Sequence, residues 1–128
     1  MKKKLLALLL VVITALSLVS CSVIPEANEV FENLKDENYI VTPIMSASEE
    51  QLEEVYGTSF YGDAVNFFEA IDEDGERVVF IEFESSRIAE AFIENAKDTL
   101  RGTFRVFAGN GTRTIMATSD DAYEDAIG

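Results

Sequence analysis

The sequence predicts an α+β fold, an antiparallel sheet with helices packed on it, and three observations carry that prediction. Asp72-Glu73-Asp74-Gly75-Glu76 joins two strand-like runs, Ala64–Ile71 and Arg77–Glu84, and its Asp-Gly pair is a strong hairpin signal. Gly109-Asn110-Gly111 separates two further runs, Phe104–Ala108 and Thr112–Thr118, as a second hairpin. Between the hairpins, Ile88, Ala89, Phe92, Ile93, Ala96 and Leu100 recur at helical spacing.

The remaining elements are read in chain order. Pro25 suits a first helical position, and Ala27, Val30, Phe31 and Leu34 then share one face, giving a helix over residues 25–36. Tyr39–Met45 reads as a strand rich in β-branched residues, with Pro43 placing it at an edge or a strand end. Either Ser46 with Glu49 or Ser48 with Gln51 forms a capping box before Leu52, Val55 and Tyr56, and Gly57 closes that short helix. Ser85 and Ser86 are cap candidates for the helix over 87–101, which carries Lys97 and Arg101 at its negative end and stops at Gly102. Thr118 or Ser119 caps a short final helix holding Ala122, Tyr123 and Ile127.

The order is therefore an N-terminal helix, a βαββαβ core, an extra C-terminal strand and a short last helix. That core resembles the ferredoxin-like split βαβ pattern. The resemblance is one of topology and carries no function, and one cysteine cannot hold an iron–sulfur cluster.

The first 21 residues point to a location. Lys2, Lys3 and Lys4 precede a 15-residue apolar run, Leu5–Val19, which is short of the roughly 20 residues that span a bilayer but has the form of an export signal. Read on to Ile24 the run is longer, but it then carries Thr14, Ser17, Ser20 and Ser22 and makes a poor uncleaved anchor. The tetrapeptide Leu18-Val19-Ser20-Cys21 ends on the only cysteine and resembles the lipobox of bacterial lipoprotein precursors. The resemblance implies cleavage between Ser20 and Cys21, a diacylglycerol on the Cys21 sulfur, and a protein held by acyl chains on the extracytoplasmic face of the cell membrane. Two chains give stable anchoring where one does not. Residues 1–20 are then a leader, 21–24 a lipidated terminus with a short tether, and 25–128 a single domain.

Loss of the leader removes three lysines and no acid, which takes 10 basic residues to 7 against 24 acidic ones and the formal charge to −17. Such a surface excludes nucleic acid as a natural partner, because no basic stripe replaces the phosphate counterions. The chain has no histidine and no tryptophan, and lipidation would consume its only thiol. Histidine-assisted nucleophiles and imidazole-built metal sites are thereby closed. No cofactor or metal is expected. Asp72–Glu76 departs from the EF-hand pattern, with Gly75 at the fourth position instead of the sixth and no acid at the twelfth.

Two features suit a binding surface. The loop from Tyr56 through Phe60 and Tyr61 sets three aromatic rings among glycines, and rings of this kind are favoured where proteins meet partners. Strand alternation places Val79, Ile81 and Phe83 toward the helices, leaving Phe80, Glu82, Arg105 and Phe107 on an outer face that the first or last helix could cover. The expectation is a small envelope module that binds a protein, peptide or glycan. Its alternatives are a carboxylate-based or metal-dependent enzyme, for which an inward-facing Glu69 would speak, and a calcium-responsive surface protein.

Overall fold

In the computed structural model, which describes residues 23–44, 48–56 and 63–128, the chain runs α1 (Ala27–Asp36), β1 (Ile40–Ile44), α2 (Glu49–Tyr56), β2 (Ala64–Ile71), β3 (Arg77–Phe83), α3 (Ser86–Thr99), β4 (Val106–Asn110), β5 (Arg113–Ala117) and α4 (Asp120–Ile127). Local chemistry sets most of these boundaries. Asp72 Oδ1 accepts from the amides of Asp74 and Glu76, each at 2.9 Å, and Gly75 takes φ 89° to close the β2–β3 hairpin. Ser85 and Ser119 cap α3 and α4 by accepting from the amides of Ile88 and Ala122. Ser48 and Gln51 form the reciprocal box at α2, its amide donating to Gln51 Oε1 at 2.8 Å. The alternative cap, Ser46, lies outside the described residues.

The second hairpin is tighter than the sequence suggests. Asn110 pairs with Arg113, so Gly109 and Asn110 belong to β4 and the loop is Gly111-Thr112, with φ 61° at Gly111. Glycine adopts that angle at the least cost, and the turn shifts by two residues to use it.

All neighbouring strands are antiparallel, in the order β1-β2-β3-β5-β4. This differs from the ferredoxin-like arrangement, in which the two strands of each βαβ half are held apart by a third. Only β3 and β4 are so placed, with β5 between them, whereas β1 pairs directly with β2 across the α2 connection. The fold is a mixed α+β one with a five-stranded antiparallel sheet and four described helices.

Both faces of the sheet are covered. Leu52 and Tyr56 of α2 and Ala89, Phe92, Ile93 and Ala96 of α3 pack with Phe67, Val79, Ile81, Phe83 and Met116 on one face. Val30 and Leu34 of α1 and Ala122 and Ala126 of α4 pack with Phe68, Val78, Phe80, Ile115 and Ala117 on the other. The outer face expected from strand alternation is thus closed by the first and last helices together. Phe80, offered there as a partner-binding residue, is 0 % exposed and stacks on Phe68 with centroids 5.0 Å apart. The physical reason is the run Val78-Val79-Phe80-Ile81, apolar on both faces and costly to wet on either.

Phe80→Ala is expected to cost about 3–5 kcal/mol in urea denaturation, while Ile40→Ala, at an exposed position, changes stability by no more than about 0.5 kcal/mol.

Candidate functional site

Beside the edge strand β1, on the face that carries α2 and α3, a hollow of about 230 Å³ is lined by Ile40, Thr42, Glu69, Ala70, Ile71 and Arg77. The hairpin register assembles it. Ile71 pairs with Arg77 and Glu69 with Val79, so Glu69 and Arg77 are diagonal neighbours on one face, and β1 places Thr42 opposite Glu69 and Ile40 opposite Ile71. Ile40 is 73 % exposed and Ile71 45 %, which makes these two the apolar walls.

The polar floor is a short chain of partners. Arg77 Nη2 lies 3.6 Å from Glu69 Oε2, both side chains about one-third exposed, and the guanidinium also stands 5.2 Å from the centroid of Phe104. The Tyr56 hydroxyl, at the last residue of α2, donates to Glu69 Oε1 at 3.5 Å. Its ring is buried edge-on against Phe67 and Phe92. Burial pushes the Tyr56 phenol far above its ordinary value, and the Glu69 charge adds to the rise while Arg77 opposes it. The phenol therefore remains a hydrogen-bond donor at neutral pH. The hollow offers apolar walls, one carboxylate and one guanidinium, a set suited to a side chain with an apolar body and a polar tip.

The residues singled out from the sequence scatter around this site. Tyr56 is in it. Arg105 and Phe107 share a wider, open hollow of about 420 Å³ with Arg101, Phe104 and Thr118. Phe107 leans on α3, edge-on to Phe104 at 6.4 Å, so it faces away from Phe80 and the two never shared a surface. That corrects the sequence pairing of Arg105 and Phe107 with Phe80: register puts Phe107 opposite Met116 and Ala108 opposite Ile115, one residue out of step with the expected face. Phe60, Tyr61, Ser20 and Cys21 lie outside the described residues. Glu69 faces α2, with Tyr56 and Arg77 as its partners, and among the described residues it is the one carboxylate lining this hollow. Ile40, Ile71 and Arg77 are the additions that sequence reading missed. The signal was there, because a hairpin closed by Asp72–Glu76 pairs Ile71 with Arg77 and sets Arg77 diagonal to Glu69.

Among the described residues, no group of three or more histidines, cysteines, aspartates or glutamates is placed to hold a metal ion, and no helix is long and apolar enough to cross a membrane. At the Asp72–Glu76 turn, Asp72 Oδ1 is occupied by two backbone amides. Compared with protein-family models, with curated proteins and with solved structures, the chain matches none.

A second tyrosine is set the same way: Tyr39 donates to Asp125 Oδ2 at 3.0 Å, and burial, then that bond and the charge of Asp125, raise its phenol far above the ordinary range. A raised folded value means that the unfolded chain ionises first. Their contribution to stability is constant below about pH 10 and then falls with rising pH, by up to about 1.4 kcal/mol per pH unit for each tyrosine. Tyr39→Phe and Tyr56→Phe each flatten this alkaline slope in denaturation curves recorded across that range.

Proposed function

We propose that the chain is a lipoprotein of the bacterial cell envelope, anchored through Cys21 on the extracytoplasmic face of the membrane, whose domain is a small binding module. The observation that carries the anchor is Leu18-Val19-Ser20-Cys21 at the end of a short apolar run, with the sole cysteine at the one position where lipid would consume it. The domain supports the second half of the reading through the hollow at β1, where Ile40 and Ile71 stand exposed beside a paired carboxylate and guanidinium. Exposed large apolar side chains on a strongly acidic surface cost solubility and suit a contact. A peptide or protein segment of the envelope is the partner such walls fit, and β1 is an edge strand whose one described pairing is with β2.

Intact mass spectrometry of protein from its native membrane is expected to give a chain that begins at Cys21 and carries a diacylglyceryl group. Cys21→Ser leaves the protein uncleaved and without that group, and a wild-type chain retaining Met1 or a free thiol overturns the anchor. For the binding surface, a photoactivatable residue at Ile40 is expected to crosslink to an envelope protein in living cells, while the same residue at exposed Glu90 on α3 does not. Equal adducts at both positions, or none at either, overturn the hollow as the contact.

A further inference from the structure

The tether is not free where it meets the domain. Ile24 is 1 % exposed and belongs to the core shared with α1 and α4, and its carbonyl accepts from Arg113 Nη1 at 2.9 Å. Arg113 is itself fixed, with Nε 3.4 Å from Glu82 Oε2, and Glu82 is held by Asn66 Nδ2 at 2.7 Å and by the Thr112 hydroxyl at 3.2 Å. This network fastens the chain at one end of the sheet, where β3 finishes and the β4–β5 turn sits. Only Ser22 and Val23 stand between Ile24 and Cys21, a reach of about 10 Å at full extension.

We infer that the domain stands on the lipid bilayer on this end, with the Glu69 hollow turned away from the membrane; the inference rests on the lipid anchor proposed above. β3 runs seven residues from Arg77 at the hollow to Phe83 at the seated tether, which separates the two ends by about 20 Å. Charge agrees with the orientation. Asp72, Glu73, Asp74 and Glu76 crowd the β2–β3 turn at the far end and Asp36 and Glu37 precede β1 there, outnumbering Arg77, Arg101 and Arg105, whereas the seated end sets Asp63, Glu82 and Glu84 beside Arg113. At the seated end Val23 is 63 % and Val65 46 % exposed, apolar groups compatible with a headgroup region. An anionic bilayer repels the far end within about one Debye length of 8 Å and so favours the same pose. The consequence is that a partner reaches the β1 edge from the extracytoplasmic side without contacting lipid.

The test uses the full-length chain, expressed and matured in a bacterium, with Asp74→Cys in the β2–β3 turn or Asn110→Cys at the end of β4, both exposed. Each introduced thiol is labelled with a fluorophore, and the protein is reconstituted into phosphatidylcholine vesicles containing a minority of phosphatidylglycerol and a headgroup-attached nitroxide quencher. Quenching at residue 110 is expected to exceed that at residue 74 by at least about twofold, given the strand-length separation. Arg113→Ala in the Asn110→Cys background reduces the difference by releasing the seat. Equal quenching at both positions, or stronger quenching at 74, overturns the orientation while leaving the anchor intact. Protein that does not associate with vesicles at all overturns the anchor and the orientation with it.

Discussion

The structure depends on one constraint: β3 is apolar on both faces, so both faces of the sheet must be kept from water. Val78, Val79, Phe80, Ile81 and Phe83 are each at most 1 % exposed. β3 hydrogen-bonds to β2 on one side and β5 on the other, which makes it the strand through which both cores are built. Burying a strand on two sides needs helices on two sides, and the chain supplies α2 and α3 for one and α1 and α4 for the other. Covering a single face would leave Phe80 and Ile115, or Val79 and Phe83, in water at roughly 1.5–3 kcal/mol for each large side chain.

This also explains what could be read from the sequence. The elements were legible because each carries a local signal: the Asp-Gly turn for β2–β3, Ser85 and a clean apolar stripe for α3, the Ser48–Gln51 box for α2. Strand order was not, since nothing local distinguishes a β1 that pairs with β2 from one that sits beyond another strand. Period-two alternation predicts an open face, but Val78-Val79-Phe80-Ile81 is a continuous apolar run whose plain meaning is burial on both faces. Phe107 stands on the other face from the one alternation predicts, a one-residue difference in register being the smallest that inverts every side chain of a strand. Of the candidate site, Tyr56 was visible as an aromatic among glycines, while Ile40 and Ile71 read only as ordinary strand residues. Their exposure follows from β1 being at the sheet edge, a tertiary fact.

The two cores close in the same manner. On one face Tyr39 is buried with its hydroxyl on Asp125, and on the other Tyr56 is buried with its hydroxyl on Glu69. A chain with 24 acids must set some of them against apolar surface. A phenol solves this by presenting its ring to the core and its O–H to the carboxylate at the rim, so that neither polar group is stranded. The rim carboxylate raises the phenol further, so each phenol keeps its proton and its role as donor at physiological pH.

Residues 21–128 hold few basic residues, and their placement gives the domain its polarity. Arg113 and Arg77 stand at opposite ends of the sheet's central strands, one seating the tether through Ile24 and the other pairing with Glu69 beneath the exposed hollow. Lys97 pairs with Glu94 and Lys35 lies over Phe31, both on helix surfaces. Arg101 and Arg105 are different: both are exposed and both line the hollow around Phe104, next to the ring over which Arg77 lies. Three of the seven guanidinium and ammonium groups of residues 21–128 therefore converge on the end opposite the tether, close to the acidic β2–β3 turn. Across that end the strand order sets Ile40 and Ile71 at the β1–β2 side, the acidic β2–β3 turn next to them, and Arg77, Arg101 and Arg105 from β3 toward β4.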